Sequence, residues 1–246
     1  MIHQTSIISS KAKIAQDVEI GPFTTIYDNV CIGSGTIIDG YCEIGVKNNL
    51  SNNQCLNIGK NSHIRSHSIF YEGSTFGDGL ITGHRVTVRE ETTSGKNFQI
   101  GTLSDIQGHC TIGNYVRTHS NVHIGQGSVI GNFVWIFPYV VLTNDPHPPS
   151  NVLQGVVIDD FSVIATMTTI LPNVKIAKNC LIGANSLLTI NTEEGMLYSG
   201  NPAKKLCPTN KIRLKDGSKK PAYPWNRHFY RGYPEEVINE WKKKYV

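Results

Sequence analysis

An isoleucine recurs at every sixth position over the first 44 residues of the chain. The eight positions are Ile2, Ile8, Ile14, Ile20, Ile26, Ile32, Ile38 and Ile44. Neither a helix nor a strand has this period, because side chains repeat every 3.6 residues along a helix and every second residue along a strand. A chain wound into a triangular prism does have it, since one large aliphatic side chain fills the interior at each corner. The period therefore predicts an elongated repeat fold.

The six-residue period continues to Leu188, with two shifts of frame. The frame moves by two residues between Ile44 and Ile58, and by four residues between Leu142 and Ile158. Three six-residue segments make one turn, so residues 1–190 predict one all-β domain, a parallel β-helix of about ten turns. Glycine often follows the aliphatic residue, and we expect it to relieve the steric cost of the sharp bend at each corner.

The larger shift of frame contains the chemically densest run of the chain. It predicts an extruded loop over residues 143–157, which includes the sequence Asn144-Asp145-Pro146-His147-Pro148-Pro149. Three prolines within four positions fix the backbone and keep it out of a strand. A stiff loop that projects from a rigid scaffold is a good support for a reactive side chain.

Composition limits the classes of function. Hydrophobic residues make up 39% of the chain, charged residues 17%, and the net charge is +4. The lysines cluster late in the chain, which favours a local anion site over general nucleic-acid binding. The six cysteines form no CxxC pair, as expected for free thiols in a reducing cytosol. With neither a leader-like segment nor an apolar stretch of membrane length, we expect a soluble cytoplasmic protein without a membrane partner.

Residues 191–246 are predicted to form a C-terminal extension. A helix is expected to begin near Pro234, because Glu235 and Glu236 would lie in its first turn and three lysines at its end. We expect this helix to pack against the end of the prism or against a neighbouring subunit. Packing is also favoured over substrate recognition for the aromatic and basic cluster of the tail, namely Trp225, Arg227, His228, Phe229, Tyr230 and Tyr233.

From residue 1 to about residue 206, the chain resembles the hexapeptide-repeat acyltransferases, which implies a left-handed parallel β-helix. Residues 131–204 are similar to galactoside and maltose O-acetyltransferases and to xenobiotic acetyltransferases. In their catalytic loop a histidine followed by proline is the general base, which the resemblance carries over to His147-Pro148. The Asn144-Asp145 pair, with no second histidine after His147, looks more like the sugar-nucleotide N-acyltransferases of cell-surface polysaccharide pathways. The resemblance therefore leaves a hydroxyl or an amino acceptor open.

The resemblance also implies an acyl donor and a set of residues that bind it. The donor would be acetyl-coenzyme A or another acyl-coenzyme A. Thr166 and Ala184 correspond to the small residues along the pantetheine arm, Thr189 to a position near the adenosine, and Lys204 to the basic residue that meets the phosphates. Family members are trimers that bind donor and acceptor between adjacent prisms, so a homotrimer is expected.

Acyl transfer from a thioester needs a proton acceptor, and histidine suits that task near neutral pH. His147 is the predicted base. Asp145 would either orient its imidazole or contact the acceptor, a sugar or nucleotide sugar. Asn144, His119 and His123 are further candidates for the acceptor pocket, with ordinary surface positions as the alternative for the two histidines.

Two other classes of function remain open. One is a zinc lyase like the γ-type carbonic anhydrases, which share the prism and need three histidines in tetrahedral geometry. The histidines of this chain do not have that family's spacing, so no metal is expected. The other is a non-catalytic scaffold. The leading hypothesis is an acyltransferase of surface-polysaccharide or lipopolysaccharide assembly.

Overall fold

The computed structural model describes residues 1–227 and 232–245, and within them the chain forms a left-handed parallel β-helix. Each turn places one short strand on each of three faces. Strands of successive turns pair in parallel on every face. The predicted fold class is therefore confirmed, including the weak part of the period between Phe70 and Ser94, which keeps its register.

The strands are numbered in chain order and grouped by face. The first face contains ten strands: β1 (Ile7–Ile8), β4 (Thr25–Ile26), β7 (Glu43–Val46), β10 (Ile69–Tyr71), β13 (Thr87–Val88), β16 (Asp105–Ile106), β19 (His123–Ile124), β22 (Val141–Leu142), β25 (Thr169–Ile170) and β28 (Leu187–Leu188). The second face contains nine: β2 (Lys13–Ile14), β5 (Val30–Ile32), β8 (Leu56–Ile58), β11 (Thr75–Phe76), β14 (Thr93–Ser94), β17 (Thr111–Ile112), β20 (Val129–Ile130), β23 (Val157–Ile158) and β26 (Lys175–Ile176). The third face contains eleven: β3 (Glu19–Ile20), β6 (Ile37–Ile38), β9 (His63–Ile64), β12 (Ile81–Thr82), β15 (Gln99–Ile100), β18 (Arg117–Thr118), β21 (Trp135–Ile136), β24 (Val163–Ile164), β27 (Leu181–Ile182), β29 (Met196–Gly200) and β30 (Ala203–Pro208).

From Ile20 to Leu188, the aliphatic residues of the six-residue period face the interior of the prism, whereas Ile2 in the first turn is 52% exposed. In strand β6, Ile38 is 1% exposed whereas its neighbour Ile37 is 38% exposed. Ile124 and Ile164, which occupy the same position of the repeat in other strands, are also fully buried. Burying one aliphatic side chain per strand supplies the apolar area that stabilises so narrow a fold.

The corners are built differently from the prediction. The residue three positions after the aliphatic one adopts a left-handed backbone, as at Asn61 (φ 53°) and Tyr115 (φ 58°). This conformation is costly for residues with a Cβ atom, so the stacked turns must impose it. The glycine that directly follows the aliphatic residue serves close approach between turns. At Gly101, a Cβ atom would lie 2.2 Å from the carbonyl carbon of His119. The expected role of this glycine in the bend was therefore wrong.

The C-terminal extension continues the third face and then folds back along it. Strand β29 pairs in parallel with β27, and β30 pairs antiparallel with β29. Two 3₁₀ helices (Thr209–Lys211 and Trp225–Arg227) and helix α1 (Glu235–Tyr245) complete the described chain. The helix thus begins where the sequence indicates.

The extension packs against the side of the prism. The Trp135 Nε1–H group donates a hydrogen bond of 2.8 Å to the Tyr233 hydroxyl, and Trp225 Nε1–H donates one of 2.8 Å to the carbonyl of Phe161. Trp225 is 5% exposed and Tyr233 is 8% exposed. Packing of these two aromatic residues is therefore confirmed. In helix α1, Trp241 packs on Phe133 and Phe161 at the side of the prism and not at its end, and a contact with a neighbouring subunit stays a prediction. Arg227 is exposed, and His228, Phe229 and Tyr230 lie outside the described residues.

Candidate functional site

The extruded loop leaves the prism at the corner between the first and second faces. It follows strand β22 and rejoins the prism at β23. The backbone N–H of Gln154 donates a 2.7 Å hydrogen bond to the carbonyl of Asn144, which closes the neck of the loop. The chain thus leaves the prism after Leu142 as expected, but the predicted end of the loop was too late, because Val157 belongs to strand β23.

Asp145 braces the loop from within. Its carboxylate accepts hydrogen bonds from the Ser150 hydroxyl (2.7 Å), the Ser150 backbone N–H (3.0 Å) and the His147 backbone N–H (3.0 Å). The hydrogen bond from the Ser150 side chain is the largest of the effects that lower the pKa of Asp145 below its usual value. The contacts of Asp145 in this structure are thus to the loop itself.

His147 is exposed on the outside of the braced loop. Its backbone is held by Asp145, but among the described residues its imidazole has no hydrogen-bond partner. The ring is therefore accessible to a substrate, and its orientation is not fixed by the chain around it.

The two other candidate histidines lie on either side of the corner between the third and first faces. His119 directly follows strand β18, and its ring stacks on Phe137 at 4.6 Å between ring centroids. His123 belongs to strand β19 on the first face, with its side chain 38% exposed. Both are partly accessible, but only His123 lies on the face that leads to the extruded loop.

His123 has a carboxylate partner that the sequence reasoning missed. Its Nδ1 atom lies 3.1 Å from Oδ2 of Asp105, one turn earlier on the first face. The Gln107 side-chain amide donates to the same oxygen. Burial acts to raise the pKa of Asp105, but the hydrogen bonds from His123 and Gln107 and the charge of Arg89 outweigh it, so that the pKa is lowered overall. The available signal was the 18-residue separation, which equals one turn and puts both residues in register.

The neck of the loop lies close to this pair. Strand β19 pairs with β22, which places Val141 beside His123, and the loop begins two residues after Val141. Gly125 lies two residues after His123, and a Cβ atom at Gly125 would lie 3.1 Å from the Cβ atom of Asn144. The His123–Asp105 pair thus lies on the first face, on the two turns that precede the turn from which the loop leaves.

Two of the four predicted donor-binding residues lie together. Thr166 and Ala184 each stand two residues after a paired isoleucine, at the corner between the third and first faces. The Asn185 backbone N–H donates a 2.9 Å hydrogen bond to the carbonyl of Thr166, which stacks the two turns. Ala184 is exposed and Thr166 is half-buried, so this corner presents small side chains to solvent.

The other two lie apart from that corner. Thr189 is exposed after strand β28, at the corner from which the extruded loop leaves two turns earlier. Lys204 lies on β30, opposite Ser199. Its ammonium group has no ion-pair partner among the described residues, whereas the neighbouring Lys205 contacts Glu193 at 2.5 Å. Lys204 is thus the cation of this pair that is available to a phosphate.

The described part of the chain contains no group of three or more histidine, cysteine or acidic side chains placed to hold a metal ion. In the same residues, no helix is both long and apolar enough to cross a bilayer.

Fold and site together define a hexapeptide-repeat β-helix with an extruded, histidine-bearing loop. Comparison with known proteins agrees with this description: the chain is similar to hexapeptide-repeat acyltransferases over part of their length. It is 34% identical over 137 residues to the acyl-[acyl-carrier-protein]–UDP-N-acetylglucosamine O-acyltransferase of Saccharophagus degradans, an alignment that covers 53% of this chain and 48% of the relative. It is 30% identical over 184 residues to the bifunctional protein GlmU of Clostridium beijerinckii, covering 75% of this chain and 38% of the relative.

The chain thus spans about half the length of the first of these relatives and less of the second. Among solved structures, the UDP-N-acetylglucosamine acyltransferase of Arabidopsis is 14% identical with a TM-score of 0.46, covering 85% of this chain and 74% of that one. No family model matches the chain.

Proposed function

We propose that this protein is an acyltransferase that moves an acyl group from a coenzyme A thioester to a hydroxyl or amino group of a nucleotide sugar. The observation that carries the proposal is the arrangement around the first face. One edge of this face is the small-residue corner of Thr166 and Ala184, and the other edge carries the extruded loop with His147. Sequence similarity to an acyltransferase whose name includes a UDP-sugar acceptor supports the same proposal.

The donor would lie along the corner of small side chains. A pantetheine arm needs a shallow track without bulky residues, which Thr166 and Ala184 provide. Its phosphates need a cation, and Lys204 has none of the ion-pair contacts that occupy Lys205. The name of one relative gives an acyl carrier protein as donor. Because that carrier also presents its acyl group on a pantetheine thioester, acyl-coenzyme A and acyl carrier protein are the two donors to compare.

His147 is the proton acceptor that the sequence assigns to this reaction. Its exposed imidazole can reach a substrate that lies above the first face, while Asp145 and Ser150 hold the loop backbone. Asn144 at the neck of the loop and His119 on the far side of the first face would contact the acceptor. In a homotrimer, a neighbouring prism would close the groove. A role in assembling surface polysaccharide or lipopolysaccharide, in the cytoplasm, completes the proposal.

The test is an assay of free thiol release. The full chain is incubated with acetyl-coenzyme A, or with an acetylated acyl carrier protein, together with a panel of UDP- and dTDP-linked sugars that carry free hydroxyl or amino groups. We expect thiol release only when a donor and a suitable sugar are both present. No thiol release together with no detectable coenzyme A binding would overturn the proposal and favour a scaffold.

A further inference from the structure

We infer that the Asp105–His123 pair is the catalytic base of the reaction, with His123 as the proton acceptor and Asp105 as the residue that positions it. This inference rests on the proposed acyl transfer and makes its site more specific. It revises the assignment of the base to His147, which was drawn from the sequence.

The hydrogen bond decides which ring nitrogen of His123 can act. An ionised carboxylate only accepts hydrogen bonds, so Nδ1 of His123 must carry the proton in its 3.1 Å contact with Asp105. In the neutral ring, Nε2 then holds a lone pair. Among the described residues, Nε2 has no hydrogen-bond partner. A base with a fixed tautomer and one uncommitted nitrogen is what proton abstraction requires.

The position of His123 is also fixed by the scaffold. Its backbone is part of strand β19, which is paired to β16 on one side and to β22 on the other. Asp105 occupies the register position before it, and the uncharged Val141 the position after it. A side chain on a paired strand keeps its geometry better than one on a loop. His147 lies on the loop, and its imidazole, unlike its backbone N–H, has no carboxylate partner among the described residues.

The proposed acyl transfer needs only the thioester donor and the acceptor as reactants. The acceptor oxygen or nitrogen attacks the thioester carbonyl carbon, and its proton passes to Nε2 of His123. The carbon–sulfur bond then breaks, its electron pair stays on sulfur, and the imidazolium returns the proton to give the free thiol. Asp105 stabilises the imidazolium while it exists.

The chain offers a matched control in His63 and Asp39. Nε2 of His63 lies 3.0 Å from Oδ1 of Asp39, with 31% and 32% of the two side chains exposed, compared with 38% and 34% for His123 and Asp105. This second pair is on the third face, at β9, far from the extruded loop. If breaking a histidine–carboxylate hydrogen bond lowered turnover only by destabilising the fold, substitutions in either pair would lower turnover to a similar extent.

The experiment compares kcat, KM and melting temperature for wild type, His123→Ala, Asp105→Asn, His147→Ala, His63→Ala and Asp39→Asn. We expect His123→Ala to lower kcat by about a hundredfold or more, and Asp105→Asn by at least about tenfold, with KM for the donor nearly unchanged. Added imidazole should partly restore turnover in His123→Ala. The His63 and Asp39 variants should keep wild-type kcat.

Other results would overturn the assignment of the base to His123. His123→Ala with near-normal kcat, or without rescue by imidazole, overturns the assignment, as does an Asp105→Asn enzyme with wild-type kcat. If turnover is lost in both histidine variants, rescue of His147→Ala alone returns the role of base to His147. These failures presuppose an active wild-type enzyme. An inactive wild type, by contrast, would count against the proposed function itself.

Discussion

Asp105 and His123 are 18 residues apart in the chain, yet they face each other across one turn of the prism at 3.1 Å. The repeat creates this contact, since every turn places equivalent positions one above the other on the same face. A two-residue strand such as β16 or β19 offers one outward side chain, so a pair formed by such strands on one face comes from successive turns. The pair therefore ties the chemistry of the site directly to the period of the sequence.

Lys204 is expected to bind the donor phosphates. Lys204→Ala should weaken coenzyme A binding by roughly fivefold, because an exposed cation–phosphate contact contributes on the order of 1 kcal/mol. Lys205→Ala is the control, since Lys205 is already held by Glu193. Isothermal titration with coenzyme A at low and high salt measures both. Equal affinities for the two variants would show that the phosphates lie elsewhere.

Ser150 is expected to support turnover through the loop. Ser150→Ala removes the hydroxyl that donates to Asp145 at 2.7 Å, so the loop should sample more conformations. We expect kcat for acyl transfer to fall by about threefold to tenfold, while coenzyme A affinity stays unchanged. Steady-state kinetics and titration calorimetry separate the two effects. Ser218→Ala, at an exposed position between the two 3₁₀ helices, is the control. A similar loss of kcat in this variant would refute a specific role of the Ser150–Asp145 hydrogen bond.

Ile38 and Ile37 test the account of the core within one strand. Ile38→Ala should lower the free energy of unfolding by about 2–5 kcal/mol, because it opens a cavity in a fully packed interior. Ile37→Ala, at a position that is 38% exposed, should cost less than about 1 kcal/mol. Urea denaturation followed by circular dichroism measures both. A comparable loss from the two substitutions would contradict the alternation of buried and exposed positions.

Tyr233 is expected to hold the extension more firmly at neutral than at alkaline pH. Burial raises the pKa of Tyr233 to about 12, above the value near 10 of an exposed tyrosine. The folded state therefore favours the neutral phenol. The resulting stabilisation is fully present below pH 10 and is lost as the pH rises from about 10 to about 12.

Tyr233→Phe should remove this dependence and should also cost about 0.5–1.5 kcal/mol at neutral pH, because the Trp135 indole loses its hydrogen-bond acceptor. Tryptophan fluorescence from pH 7 to about pH 12 follows the docking of the C-terminal extension. Tyr139→Phe, at a position that is 58% exposed, is the control. An unchanged pH profile in Tyr233→Phe would show that another group governs docking.

The fold could be predicted from the sequence because the aliphatic residues of the repeat mark the positions that face the interior of the prism. The buried isoleucines, and the loop that breaks the period between Leu142 and Ile158, follow from the period of the sequence alone. The left-handed backbone at positions such as Tyr115 carries no such signal. It is imposed by stacking between turns, and bulky aromatic residues would ordinarily argue against it.

The site was predicted less completely, for reasons that are equally physical. The loop and His147 stand out because prolines and a change of frame mark them. Asp105 does not stand out, because a single aspartate indicates a site only after the repeat has been used to align it with His123 on the next turn. The face on which the C-terminal extension packs depends on contacts such as that between Trp135 and Tyr233, which are 98 residues apart. No local sequence pattern predicts which face that is.

The central claim is that an acyl group passes from a thioester to a nucleotide sugar on this prism. It is tested most directly by incubating the full chain with acetyl-coenzyme A labelled with ¹³C in the acetyl group, together with amino- and hydroxyl-bearing nucleotide sugars. The sugars are then examined by mass spectrometry. We predict that the labelled acetyl group appears covalently on one sugar in proportion to the thiol released. Label that remains on coenzyme A, or appears only as free acetate, would contradict the account.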